Sequence, residues 1–157
     1  MTSESSEDIV SIIQALKQKP GALLPILHGI QEKLGYVPSE AVPIIASELN
    51  LTRAEVHGVV SFYHDFRSKP PGRHIVKICQ AESCQAMGSV ELTSFAKEQL
   101  GVDLHETTKD EAFSLEPVYC LGNCACSPAM MVDEEVFGRI TPQRFQKILR
   151  EVVGQTE

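Results

Sequence analysis

The sequence predicts an α/β protein built in two parts, a helical bundle over residues 1–70 and a strand-and-helix domain over residues 71–157. Through residue 66, apolar residues recur at helical spacing. At 67–73, "RSKPPGR" interrupts that pattern with two prolines and a glycine, and beyond it short runs alternate with period two. Strand, helix, strand, hairpin and helix then follow in that order, a layout in which helices cover a small sheet.

In the first part, Ser5 and Ser6 are positioned to cap a helix whose Ile9, Ile12, Ile13 and Leu16 share one face, ended by Pro20-Gly21. Leu23, Leu27, Ile30 and Leu34 mark a second helix, with Pro25 tolerated in its first turn and Gly35 closing it. A third begins near Ser39, turns Val42, Ile45 and Leu49 inward, and ends at Asn50. "TRAE" at 52–55 has the form of a capping box and opens a fourth helix carrying Val56, Val59, Val60 and Tyr63.

In the second part, "HIVKIC" (74–79) predicts a strand, and Ser89–Leu100 a helix through Leu92, Phe95, Ala96 and Leu100, stopped by Gly101. "FSLEPVYC" (113–120) predicts a second strand, and "AMMVDEEVFGRI" (129–140) a hairpin turning at Asp133-Glu134-Glu135. The last helix starts at Thr141, with Pro142 in its first position and Phe145, Ile148, Leu149 and Val152 on one side.

Composition narrows the function class. With 157 residues the chain buries about 68–70% of its unfolded surface and needs no disulfides to fold. A formal net charge of −7 argues against nucleic acid, whose binding rests on Lys and Arg neutralising phosphates. "MTSESSEDIVSIIQ" reads as neither a secretory signal nor a transit peptide, and no apolar run approaches the ~20 residues of a spanning helix. The expected compartment is the cytoplasm, where thiols stay reduced, so 5 cysteines point to metal binding or redox chemistry.

Those cysteines form two pairs. Cys79 and Cys84, in "CQAESC", and Cys120 and Cys124, in "CLGNC", each begin at the end of a predicted strand and run into a loop. If the strands are neighbours, the loops emerge at one edge of the sheet and four thiolates can converge. Buried hydrophobic thiols are one alternative, though these loops are polar and contain glycine. A structural four-cysteine zinc site is another, but such sites favour tight C-x2-C knuckles. A 2Fe–2S cluster takes two thiolates on each iron, which matches two separated pairs. The chain has no C-x-x-C for a thioredoxin-type dithiol, and no C-x4-C-x2-C of the plant ferredoxins. Cys126 follows Cys124 by two residues; if the backbone is extended the two face one side, where Cys126 could bridge metals or replace Cys124 as ligand, but a buried neighbour thiol is its expected role. Gly122 lets the 120–124 loop bend and brings backbone N–H groups near sulfur, which favours Cys124.

"GALLPILHGIQEKLGYVPSEAV", "LTRAEVHGVVSFYHDF", "HIVKICQAESC" and "PVYCLGNCACSPAMMVD" together resemble the thioredoxin-like 2Fe–2S subunit family. That family includes the small flavin-proximal subunit of complex I and its equivalents in NAD-reducing hydrogenases and formate dehydrogenases. The resemblance runs from about Gly21 to Arg150 and implies an N-terminal helical bundle, for partner docking, followed by a thioredoxin-like ferredoxin domain. It implies Cys79, Cys84, Cys120 and Cys124 as the ligands of one 2Fe–2S cluster, and no catalytic residues. FMN, NAD, a molybdenum cofactor and further iron–sulfur clusters are then expected on partner subunits only. "FYHDFRSKPPGRH", "CQAESCQAMG" and "PVYCLGNCACSPA" resemble most the gamma subunit of cytosolic, molybdenum-containing, NAD-dependent formate dehydrogenases, through His64-Asp65 and Cys126. The equivalent subunits of complex I and NAD-reducing hydrogenase are the alternative, and a zinc-stapled assembly subunit is the rival of a different class.

Other residues carry less. His64 beside Asp65 has the form of a general-base pair, but structural or interface hydrogen bonding is the expected role. His28 and His57 are expected to pack on their helices, and Met130-Met131 to serve as core and cover for the cluster rather than as a ligand. No phosphate-binding glycine motif occurs, so flavin and NAD belong to another chain.

Overall fold

A computed structural model describes the backbone of residues 3–154 and the side chains from Ser5 onward. It divides into two units, Met1–Pro70 and Pro71–Glu157, each with its own buried apolar core.

The first unit consists of α1 (Ser3–Leu16), α2 (Leu23–Leu34), α3 (Ala41–Leu49) and α4 (Arg53–Phe62). Helix α1 begins before Ser5, so Ser5 and Ser6 lie inside it rather than capping it; the acidic, polar stretch ahead of Ile9 has no breaker to stop it. Pro25 falls in the first turn of α2, where its missing N–H costs no helical bond. Gly35 ends α2 at φ 83° and Asn50 ends α3 at φ 53°, both in the left-handed region where Gly and Asn are tolerated. Thr52 caps α4: its side chain accepts from the Glu55 N–H at 3.2 Å, and the Glu55 carboxylate accepts from the Thr52 N–H at 2.8 Å. Ile9, Ile13, Ile26, Leu27, Ile30, Ile45 and Val56 are fully buried between these helices. Tyr63 departs from the expected inward stripe: it caps α4 in extended backbone and is exposed.

The second unit carries β1 (His74–Cys79), α5 (Glu82–Ala86), α6 (Ser89–Leu100), β2 (Glu106–Thr107), β3 (Phe113–Val118), β4 (Met130–Val132), β5 (Glu135–Phe137) and α7 (Pro142–Gly154). The sheet order is β2-β3-β1-β4-β5; β1 and β3 are parallel and every other pairing is antiparallel. Val76, Ile78, Leu115, Met130 and Val132 of the sheet pack with Leu92 and Ala96 of α6 and Phe145, Ile148 and Leu149 of α7. Phe95 meets Phe145 edge-on, with ring centroids 6.1 Å apart. Pro142 starts α7, and Thr141 Oγ1 accepts from the Arg144 N–H at 3.2 Å.

Four details of the second unit depart from the sequence expectations. Strand β3 ends at Val118 rather than Cys120. Pro117 is tolerated within it because Leu115 O accepts from His105 N–H on the β2 side and Val118 O accepts from Gln80 N–H on the β1 side. The backbone of Pro117 therefore faces the β2 side, past the last pair that β2 makes, and no ladder bond is lost. The hairpin turns on Asp133-Glu134 alone, with Asp133 at φ 53°, and Glu135 already pairs with Val132 in β5. Helix α5 and strand β2 are each too short to carry a periodic apolar signal. Among the described residues, no helix is long and apolar enough to cross a membrane.

Candidate metal centre

The parallel β1–β3 pair brings the two cysteine segments together. Cys79, the last residue of β1, lies opposite Val118, the last of β3, so both chains leave the sheet at the same edge. One then enters α5, which carries Cys84, and the other the 119–123 loop, which carries Cys120. The Gln80 N–H bonds to Val118 O at 2.7 Å and holds the two exits together.

Cys79 and Cys84 are buried, each with 2% of its surface exposed, in a small apolar cluster with Ala129, Ala81, Val118 and Leu121. Cys120 and Cys124 are exposed and Cys126 is half-buried; all five thiols are free. Cys79 and Cys84 lie close enough to act on each other's thiols, and Cys120 acts in the same way on Cys124. The charge of Cys84 also bears on Cys124, which links the two pairs. Among the described residues, no group of three or more His, Cys, Asp or Glu side chains gathers to hold a single ion. Two thiol pairs thus lie at one edge of the sheet, rather than four thiols around one point.

Backbone N–H groups are aimed at sulfur. Cys120 Sγ accepts from the Gly122 N–H at 3.3 Å, a bond made possible by Gly122 at φ 71°. The backbone N–H groups of Ala81 and Leu121 lower the Cys79 thiol, and that of Ala129 lowers Cys84. Burial pushes the Cys79 thiol up, assisted by the neighbouring Cys84, and the two backbone donors offset only part of this. Burial also raises Cys84, but the Ser127 hydroxyl, the Ala129 N–H and the Cys79 thiol outweigh it and leave Cys84 below the ordinary thiol value. Cys124 is raised, first by the charge of Cys120 and then by their hydrogen bond. Cys84 raises Cys79 and Cys120 raises Cys124, so negative charge accumulates on sulfur here, which a bound metal would offset. The donor set fits a binuclear iron–sulfur group, with two thiols for each metal.

Cys124 and Cys126 lie in a 3-10 turn, Cys124–Cys126, rather than in extended backbone. The expectation that their side chains would share one face if the chain were extended therefore does not apply, since residues two apart diverge in such a turn. Three polar contacts around this turn gave no sequence signal. The Ser127 and Ser83 hydroxyls both donate to Cys124 O, at 3.0 and 3.3 Å, and Ser127 Oγ lies 3.5 Å from Cys84 Sγ. Serines in loops are too common to single out without the fold.

The remaining sequence candidates lie elsewhere. Met130 is fully buried in the main core of the second unit, as expected. His28, His57, His64 and Asp65 are all in the first unit and all exposed, so the expected packing of His57 is not found. His28 instead lays its ring against Phe66, with centroids 5.0 Å apart. Asp65 O accepts from Gln31 Nε2 at 2.7 Å, a structural bond.

Comparison with known proteins agrees with this geometry. Residues 9–153 match the family described as thioredoxin-like 2Fe-2S ferredoxin. The chain is 38% identical over 144 residues to HndA, a component of the NADP-reducing hydrogenase of Solidesulfovibrio fructosivorans, covering 92% of this chain and 84% of that one. It is 36% identical over 132 residues to a component of the NADH-quinone oxidoreductase of Pseudomonas aeruginosa, covering 84% and 80%. A crystal structure of an NAD+-reducing NiFe-hydrogenase in the air-oxidized state shares the fold, with a TM-score of 0.70 at 20% identity over 90% of this chain. The chain spans 24% of that hydrogenase chain. Fold, paired thiols and family match converge: the chain belongs to the thioredoxin-like 2Fe-2S ferredoxin family, electron-transfer proteins that carry one 2Fe–2S cluster.

Proposed function

We propose that Cys79, Cys84, Cys120 and Cys124 hold the cluster, and that the chain is the electron-transfer subunit beside the flavin of a cytoplasmic, NAD-linked multisubunit oxidoreductase. The observation that supports this reading best is the pair of thiol pairs at the common exit of β1 and β3. When bound, the cluster takes up and releases one electron at a time. Cys79 and Cys84, buried among Ala81, Val118, Ala129 and Leu121, form its water-poor side, and Cys120 and Cys124 form its exposed side. Electron exchange with a partner needs close approach, so the exposed pair faces the flavin-bearing subunit. The N–H groups of Ala81, Leu121, Gly122 and Ala129 offset negative charge on sulfur and favour the reduced state. The helical unit, residues 1–70, serves in docking to the partner.

At the finer level the chain is the gamma subunit of an NAD-dependent formate dehydrogenase, with FMN and NAD on one partner and the molybdenum centre and further iron–sulfur clusters on another. The segments around His64-Asp65 and Cys126 support this. A second reading, the equivalent subunit of a hydrogenase or of an NADH-quinone oxidoreductase, is favoured by what the similar chains are called. Purifying the native complex through a tag on this chain separates the two. Formate-dependent NAD reduction together with bound molybdenum is the expected result. Reduction of NAD or NADP by hydrogen, or NADH oxidation by quinone without a formate reaction, overturns the formate assignment and leaves the electron-carrier reading intact.

A further inference from the structure

The connector between β5 and α7, residues 138–140, lies against the turn that carries Cys124 and Cys126. The Arg139 N–H donates to Cys126 O at 2.6 Å, and the Ile140 N–H to Pro128 O at 3.0 Å. Arg139 makes its bond from the left-handed region, at φ 53°, where a residue with a side chain is seldom held. Gly138 closes the contact. A Cβ at that position would stand 2.5 Å from Cys126 Cβ, 2.8 Å from Cys126 O and 2.8 Å from Asn123 Nδ2. The first two of those atoms belong to the backbone or to a rigid Cβ, so the turn itself would have to move. On the other side, Gly138 O accepts from Arg144 Nη1 at 2.7 Å, which ties the connector to the first turn of α7.

We propose that Gly138 and Arg139 are positioning residues for the cluster: they clasp the 124–126 turn and so set where Cys124 stands relative to Cys120. This rests on the assignment of Cys124 as a ligand. The 3-10 turn is short, and its Cys126 N–H bonds only locally, to Asn123 O at 3.0 Å. Beyond the Ser83 and Ser127 hydroxyls on Cys124 O, the clasp is what fixes it to the body of the unit. Cys126 then has a role that is not ligation. Its carbonyl is the handle by which the connector holds the turn, and its Cβ fills the space that glycine leaves at 138.

The test compares full-length Gly138→Ala with the parent chain and with Gly58→Ala, a glycine with nothing within 4 Å of an added Cβ. The readouts are the EPR g values of the dithionite-reduced protein and the rate at which cluster absorbance is lost to an iron chelator. Gly138→Ala is expected to shift the g values and lose its cluster several-fold faster, while Gly58→Ala matches the parent. A folded Gly138→Ala chain with parental g values and a parental rate overturns the clasp. Should Gly138→Ala fail to fold by circular dichroism, Arg144→Ala decides instead, since this exposed side chain only tethers Gly138 O. It is expected to shift both readouts in the same direction to a smaller extent, and parental values overturn the proposal. A parent chain without a 2Fe–2S signal, or a Cys124→Ser chain that keeps the parental signal, overturns the ligand assignment and the clasp with it. Loss of the signal in Cys124→Ser alongside an unchanged Gly138→Ala overturns the clasp alone.

Discussion

Cys79 and Val118 are register partners at the ends of two parallel strands. Parallel neighbours run in the same direction, so the segments that follow them leave the sheet at one edge. An antiparallel pairing of the same strands would have put the two cysteine segments at opposite ends of the sheet. The meeting of the two cysteine segments is thus a consequence of strand direction, and the loop sequences supply only their chemistry.

Substituting the cysteines one at a time tests the ligand set. Cys124→Ser is expected to abolish the native cluster spectrum, while Cys126→Ser leaves it largely intact, because Cys126 contributes its backbone to the turn. Iron, acid-labile sulfide and EPR on anaerobically purified variants measure this. Loss of iron from Cys126→Ser would reverse the assignment, and one zinc without sulfide in the parent chain would convert the site into a structural staple.

The two units have separate cores, with Ile30 and Ile45 central to one and Ile78 and Leu115 to the other. Residues 71–157 expressed alone should therefore fold and bind the cluster with the parental EPR signal. The same truncation should weaken assembly with the flavin-bearing subunit, measured by co-purification. Full-affinity assembly of the truncated chain would remove the docking role from the helical unit.

Gln31 staples the end of the first unit. Its Oε1 accepts from the Arg67 N–H at 2.8 Å and its Nε2 donates to Asp65 O at 2.7 Å. Gln31→Ala leaves a partly buried N–H unmatched and should cost about 1–3 kcal/mol in chemical denaturation of the first unit. Cluster content should not change, because all four proposed ligands lie in the second unit.

The capping box of α4 carries a pH dependence. The Glu55 carboxyl is held below its ordinary value by the Thr52 N–H and then by the Thr52 hydroxyl. A carboxyl whose folded value is depressed adds stability above its unfolded value, and that stability is lost as pH falls through the folded one. The stability difference between the parent and Glu55→Gln should thus be present at neutral pH and shrink below about 4.5. Denaturation midpoints measured from pH 7 to pH 3 give the curve, and a constant difference across that range would show that the charge plays no part. Thr52→Ala removes the cap itself and should cost about 1 kcal/mol at neutral pH.

Much of this protein was legible from its residues because the relevant signals are local. The four N-terminal helices announce themselves by apolar spacing and by stop residues such as Gly35 and Asn50, whose left-handed φ is a property of the residue type. The division of the cysteines into two pairs pointed to a binuclear cluster for the same reason, since ligand type and spacing are encoded in place. Tertiary structure decided what depends on residues far apart in the chain. Burial of Cys79 and Cys84 against exposure of Cys120 and Cys124 follows from packing of Ala129 and Leu121 on one side only. The 3-10 turn at Cys124, and the closeness of Gly138 to Cys126 that holds it, join segments separated by a whole hairpin. No local propensity specifies such a contact, because it exists only once β4 has paired with β1 and β5 with β4.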